Sequence, residues 1–261
     1  SAVLEERRPD WVVVMGDTES TLAGARAAAR SGIRLAHVEA GARSGERDLP
    51  EERIRIEVDE GSDLLLCSTP AHAANLTGRE GVEVVGDVMA DVLLANAQGI
   101  RDEAPPAAVP YAVLTMHRAA TADDPERLGR VLGAISRSSR RVVFPVHPRT
   151  ARSLPDAPPG IEATPPEPYL RFLGLVSCAD VVLTDSGGLQ KEAYLLGVPC
   201  ITLRDATEWG ETIDAGWNVL AGTDPDRIRA ALADPPRSPE RPALYGDGRA
   251  AERVAADLTS A

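Results

Sequence analysis

Along most of the chain, short apolar runs rich in Val and Leu alternate with longer stretches whose apolar residues recur at helical spacing. Runs at 11–15, 34–38, 64–67 and 82–85 read as strands, followed by 112–116, 141–146, 181–184, 200–203 and 219–221. Apolar runs that do not alternate are what parallel strands covered on both faces require. Helices are expected between them over 21–30, 50–60, 125–136, 169–176, 188–196 and 226–233. The resulting βαβα order predicts an α/β, doubly wound fold. A Pro/Ala-rich stretch at 103–110 reads as a linker between two domains. The second half has about six strands, a full Rossmann-like complement, and the first about four. A sheet opening on 11–15 leaves a central-type strand without neighbours, so further N-terminal strands are expected to belong to it.

Composition narrows the function. The 261 residues are 43% hydrophobic, enough for one large or two medium domains with a real core. A formal net charge of −12 argues against a nucleic-acid surface. It leaves room for a small anionic ligand, which needs only helix N-termini and a few cations. Nearly every basic residue is Arg; Lys191 is the only lysine. Cys67, Cys178 and Cys200 sit in or beside apolar runs with no metal-ligand spacing, and read as buried free thiols in a reducing compartment. No apolar segment reaches the ~18 residues of a membrane span, and no signal peptide is visible. A cytoplasmic protein is the expectation.

Chemistry-bearing residues gather at strand ends. Asp17, in Gly16-Asp17-Thr18, follows the first strand where α/β sheets place ligands, or else serves the following helix as a cap, a role open also to Thr18 and Ser20. Glu39, in His37-Val38-Glu39-Ala40-Gly41, either pairs with Arg43 or aims a carboxylate into a crevice. Glu51 follows Pro50 at a helix start, where acidic residues complement the dipole, and shares a helix face with Arg55. With Asp17 and Glu39 it would make three carboxylates on one cleft, whose split pKa values suit general acid/base work. In the second half, His117-Arg118 ends a strand as a candidate phosphate clamp. His147-Pro148-Arg149 either faces the cleft or forms a turn. The most specific segment is Asp185-Ser186-Gly187-Gly188-Leu189-Gln190-Lys191-Glu192. Its glycines let backbone N–H groups approach a phosphate at a helix N-terminus, and Glu192 is placed to accept from ribose hydroxyls.

Taken in order, these segments, with Arg204-Asp205, Thr207-Glu208, Trp217-Asn218-Val219-Leu220 and Tyr245-Gly246-Asp247-Gly248, resemble the non-hydrolysing UDP-N-acetylglucosamine 2-epimerases. The match runs from about Pro9 to the chain end. The resemblance implies two Rossmann-like domains, similar to GT-B glycosyltransferases, with the site between them. The expected division is 1–102, an incomplete N-terminal domain completed by helix 248–261, and 103–247, the UDP-binding domain. It implies acid/base chemistry with no cofactor, metal or nicotinamide. The C2 proton is removed, UDP leaves by C1–O cleavage through a 2-acetamidoglucal, and re-addition gives the C2 epimer, UDP-N-acetylmannosamine. Asp17, Glu39 and Glu51 match the catalytic carboxylates, and His117 a residue that contacts UDP and assists its departure. Ser186, Gly187, Gly188 and Glu192 match nucleotide contacts, Phe172 an aromatic beside uracil, and Arg55 an active-site arginine. A homodimer and a role in polysaccharide biosynthesis are implied in the same way.

The sequence also departs from the family pattern. The opening Gly-Thr-Arg-Pro-Glu loop and the Gln-His segment after it are absent, so an N-terminal segment, outside this sequence or supplied by a partner chain, is expected to complete the cleft. Ala120-Thr121 replace Glu-Asn, Ile54 replaces Asn, and Lys191 replaces the first Glu of a Gln-Glu-Glu run. Three alternatives follow: a hydrolysing 2-epimerase on a related UDP-sugar, a GT-B glycosyltransferase, and a truncated or partner-dependent nucleotide-sugar-binding subunit. The form Val-Glu-Ala-Gly leans away from the first. The three carboxylates speak against the second, and retention of Asp17, Glu39, Glu51 and His117 against the third.

Overall fold

A computed structural model of the chain describes all residues except 1, 107, 108, 139, 155 and 261. They form two compact units, Ser1–Ala95 with Ala243–Ala261, and Asn96–Pro242. The first unit runs α1 (Ala2–Arg7), β1 (Trp11–Met15), α2 (Glu19–Ser31), β2 (Arg34–Val38), α3 (Pro50–Gly61), β3 (Leu64–Cys67), α4 (Pro70–Ala74), β4 (Val82–Val84) and α5 (Val88–Ala95). The second opens with α6 (Ala97–Asp102), β5 (Tyr111–Thr115), α7 (Ala119–Ala122), α8 (Pro125–Ser136), β6 (Arg141–Pro145), α9 (Pro148–Ala151) and β7 (Ile161–Thr164). It continues through α10 (Tyr169–Ser177), β8 (Val181–Thr184), α11 (Gly187–Leu196), β9 (Cys200–Thr202), α12 (Gly210–Asp214), β10 (Asn218–Leu220) and α13 (Pro225–Ala233). The closing helix α14 (Ala250–Ser260) belongs to the first unit.

In the first unit the sheet is parallel in the order β1-β2-β3-β4. One face packs Val14 and Leu35 against Leu22, Ala25 and Ala28 of α2 and Ile54 and Val58 of α3. The other buries Ala36, Val38, Leu64 and Leu66 against Val88, Val254 and Leu258 of α5 and α14. Asp91 of α5 accepts from the backbone N–H of Ala250 at 3.1 Å and Ala251 at 2.7 Å, supplying the orphan donors at the start of α14. Helix α2 is capped by Thr18, which exchanges bonds with Thr21, so Asp17 is not the cap.

The second unit's parallel sheet has the order β10-β9-β8-β5-β6-β7. Counted from its own first strand this is 6-5-4-1-2-3, the doubly wound order that reverses between β5 and β8. Helices α8 and α13 cover one face, through Leu128, Val131, Leu132, Ile228 and Leu232. Val176 of α10 and Leu189 and Ala193 of α11 cover the other. Asp124 and Asp224 cap α8 and α13, each followed by Pro at the first helical position.

Differences from the sequence reading have local causes. The strand β7, Ile-Glu-Ala-Thr, escapes detection because it is an edge strand with one buried residue. Residues 96–102 lie in the second unit, beyond the boundary expected at 102/103, because α6 packs on α10, with Gly99 beneath Leu170. Cys67 and Cys200 are buried, but Cys178 is exposed, at the end of α10 rather than inside an apolar layer. Among the described residues no helix is long and apolar enough to cross a membrane.

Phe144, on β6 at the centre of the second unit's core, is fully buried. Phe144→Ala is expected to cost about 3–5 kcal/mol of that unit's stability, seen as a lowered urea midpoint.

Candidate active site

In the first unit, the carboxyl ends of β1 and β2 carry Asp17 and Glu39, and α3 lies across them. Backbone pairing puts Met15 opposite Val38, and Gly16 N–H continues the ladder to the Val38 carbonyl at 3.1 Å. Gly16 and Gly41 both adopt positive φ, as tight turns at strand ends demand. Glu39 does so too, at φ 70°, a strained conformation for a side chain of this kind. Its backbone N–H is tied to the Leu66 carbonyl at 3.0 Å. The turn sends the carboxylate over Gly16, with Oε1 3.9 Å from where a Cβ on that glycine would stand.

Helix α3 aims a stripe of charged residues inward. Glu51 stands in its first turn, while Glu52, Arg55 and Asp59 are each buried to within 2% exposure. Arg55 forms a close ion pair with Asp17, and its Nη1 is 4.0 Å from Glu52. Glu52 accepts from Ser44 N–H and Oγ and from Gly45 N–H at 2.9–3.2 Å. Asp59 takes His37 Nδ1 at 2.6 Å, Arg43 Nη2 at 2.6 Å and Gly41 N–H at 3.1 Å. Arg43 is therefore engaged with Asp59. Burial pushes the Asp59 carboxyl up, but His37 and Arg43 outweigh it and hold it below the usual carboxylate range.

In the second unit the candidate residues gather at the switch point between β5 and β8. The hydroxyls of Thr115 and Thr184 join the two strand ends at 2.7 Å. Just beyond, buried Asp185 accepts from the backbone N–H of His117 and Arg118 at 2.9–3.1 Å, and lies 3.2 Å from His117 Nδ1. With Nδ1 turned to Asp185, Nε2 is the outward nitrogen of His117. Burial pushes Asp185 up, but the His117 hydrogen bond and charge, with the two backbone donors, hold it below its ordinary value. Ser186 caps α11, accepting from Leu189 N–H at 3.4 Å. The guanidinium of Arg118 is turned inward, donating to the Asp185 carbonyl at 3.1 Å and standing 3.8 Å from Glu208.

His117, Phe172, Ser186 and Glu192, all chosen from sequence, line one cavity of about 260 Å³ with His147, Tyr169, Leu189 and Thr115. His147 thus does both things expected of it, since it also caps α9 by accepting from Arg149 N–H at 3.1 Å. Tyr169 donates to Glu192 at 2.8 Å, and burial followed by that carboxylate pushes its phenol up. Gly187 and Gly188 form the first turn of α11, beside the cavity rather than lining it. A Cβ on Gly187 would lie 2.7 Å from Glu208 Oε1 and 2.9 Å from Trp209 Nε1. That glycine is thus required by close packing of the loop after β9. A larger hollow of about 620 Å³ beside Arg137, Arg140, Arg141 and Arg229 lies at the amino end of β6 and the carboxyl ends of α8 and α13. That is the opposite edge from the one where such sheets hold ligands.

Comparison with known proteins shows the family of the chain. The model of one family, described as UDP-N-acetylglucosamine 2-epimerase, matches residues 1–259. The chain belongs to the UDP-N-acetylglucosamine 2-epimerase family. A Methanococcus maripaludis UDP-N-acetylglucosamine 2-epimerase homolog is 38% identical, over 97% of this chain and 76% of that protein. A Pseudomonas aeruginosa UDP-2,3-diacetamido-2,3-dideoxy-D-glucuronate 2-epimerase is 39% identical, over 97% of this chain and 75% of that one. The solved structure of Methanocaldococcus jannaschii UDP-GlcNAc 2-epimerase in complex with UDP-GlcNAc and UDP superposes with a TM-score of 0.91 at 36% identity, covering 100% of this chain and 78% of that one. The fold of this family member is accordingly of the GT-B-like, two-Rossmann type, and the family is one of isomerases.

Several residues of the two clusters were not singled out from sequence. Glu52 and Asp59 are three before and four after Arg55, so helical spacing alone places all three on one stripe. Tyr169 carried no such signal, because its role comes from Glu192 on another helix. Asp59 and Asp185 have depressed native pKa values, so their stabilisation is complete above the unfolded value of about 3.9 and is lost as pH falls below it. Through these two groups, urea midpoints are expected to drop on acidification below about pH 4. Asp59→Asn and Asp185→Asn are expected to flatten that drop.

Proposed function

We propose that this family member interconverts UDP-N-acetylglucosamine and UDP-N-acetylmannosamine. The observation that carries the reading is the convergence of His117, Phe172, Ser186 and Glu192 on one cavity at the switch point, a mostly apolar hollow with a few polar groups, as a nucleoside needs. Phe172 offers its face to uracil, while Glu192, oriented by Tyr169, accepts from the ribose hydroxyls. The N-terminal turn of α11, Ser186-Gly187-Gly188, receives the diphosphate on backbone N–H groups. Arg118, bound inward, acts through the fixed shape of the 117–118 turn rather than as a free clamp.

The reaction needs a base for the C2 proton, a route out for UDP and an acid on the opposite face of C2. As the base takes the proton, the C2–H electron pair becomes the C1=C2 bond and the C1–O pair leaves with UDP. A UDP oxygen then re-adds to C1 while a proton reaches the other face of C2. Asp17, Glu39 and Glu51 supply the acid and base. Arg55, buried against Asp17, fixes the direction of that carboxylate. His117, with Nδ1 held by Asp185, directs Nε2 to the departing diphosphate. A homodimer in the cytoplasm, serving polysaccharide synthesis, completes the reading.

The relative that acts on a diacetamido uronate, at 39% identity, supports a second reading with the same chemistry on a different UDP-2-acetamido sugar. A proton NMR assay in heavy water separates the two. With UDP-N-acetylglucosamine, deuterium at C2 and a UDP-N-acetylmannosamine signal are expected; exchange seen only with UDP-2,3-diacetamido-2,3-dideoxy-D-glucuronate would select the second. Asp17→Asn and Glu39→Gln are each expected to lower turnover by roughly 10³-fold or more while UDP still binds, as titration calorimetry would record. Near-normal turnover in either variant would remove that residue from the mechanism.

A further inference from the structure

We infer that His37 is a positioning residue, a buried imidazolium bound at both ring nitrogens that holds the Gly16–Asp17 turn on α3. It rests on the reading that Asp17 and Glu39 act on the substrate. His37 is 0% exposed and lies on β2, opposite Val14. Its Nε2 is 2.8 Å from the Gly16 carbonyl oxygen, and its Nδ1 is 2.6 Å from Asp59 Oδ1. A carbonyl oxygen can only accept, so Nε2 carries a hydrogen.

The second nitrogen is settled by what surrounds Asp59. Its other oxygen already accepts from Gly41 N–H and from the Arg43 guanidinium. Two donors, one of them cationic, favour the ionised carboxylate, which has no hydrogen to give. Nδ1 must therefore donate as well. A neutral ring would either abandon the Gly16 carbonyl or turn a lone pair on the carboxylate, each an unmet buried polar contact. The charged groups around the ring are Asp59 from α3, Arg43 from the loop after β2, the Asp17–Arg55 pair beside Gly16, and Glu39 two residues along the chain.

The consequence is mechanical. Gly16 adopts positive φ, and the next residue is Asp17. Fixing the Gly16 carbonyl fixes the peptide plane from which Asp17 extends, and the carboxylate of Glu39 lies over the same glycine. The imidazolium is thus a strut between helix and turn, and Asp59 ties in Gly41 on the Glu39 side.

The test is a long-range proton–nitrogen NMR spectrum of the full chain labelled at its four histidines, near pH 7, with His37→Gln used for assignment. Both ring nitrogens of His37 are expected to be protonated; one unprotonated nitrogen would overturn the inference. His37→Gln is also expected to lower the rate of C2 exchange by roughly 10²-fold, the scale of a misplaced reacting group, with UDP affinity changed less than about twofold. Unchanged exchange in a folded variant would overturn the positioning role. If His37→Gln does not fold, the wild-type spectrum, assigned by replacing the other three histidines, still decides the protonation state. Retention of full turnover by Asp17→Asn would instead defeat the site reading, whatever the spectrum shows.

Discussion

The first unit depends on a row of buried charges on α3. Glu52, Arg55 and Asp59 each sit within 2% exposure, where an unpaired charge is costly, and each is matched by groups from a different turn. Glu52 collects the 44–45 turn, Arg55 meets Asp17, and Asp59 gathers His37, Gly41 and Arg43. Ordinary apolar packing would have held the helix on the sheet equally well, as Ile54 and Val58 do on the same element. Charge pairing adds direction, which apolar contact lacks, and direction is what a set of acid/base groups requires.

The second unit solves the same problem with a single buried carboxylate. Asp185 binds two successive backbone N–H groups and the His117 ring, so one side chain fixes both the turn and the imidazole. In both units a buried Asp thus holds a strand-end turn and a histidine ring, directly at the backbone of 117–118 in the second and by way of the His37 ring at Gly16 in the first. The shared cause is geometric: parallel strands end in loops whose backbone donors lack sheet partners, and a buried carboxylate is a compact acceptor for several of them. The glycines serve the same turns, and Gly187 is held small by Glu208 and Trp209.

Nearly all strands were legible in the sequence as short apolar runs, buried throughout in β3, β8 and β9, although β1 and β4 leave Val13, Met15 and Val84 exposed. The edge strand β7 was not, since one buried residue in four leaves no pattern. Most site residues were legible as types at strand ends or helix starts, Phe172 came only from the family resemblance, and His117, Phe172, Ser186 and Glu192 meet in one cavity. The inward turn of Arg118 was not legible, because it depends on Asp185 and Glu208, which the chain brings near only after three and four further strands.

The sequence by itself determined the α/β class, the parallel strands and the family, because local apolar runs and ordered motifs are properties of adjacent residues. Tertiary structure alone decided that α6 packs with the second unit and that Asp59, Glu52 and Tyr169 support the clusters. It also decided which nitrogen of His117 faces outward. Those are matters of which groups meet across long stretches of chain. Hydrogen-bond direction and charge pairing act over a few ångströms, and only the folded sheet sets those distances.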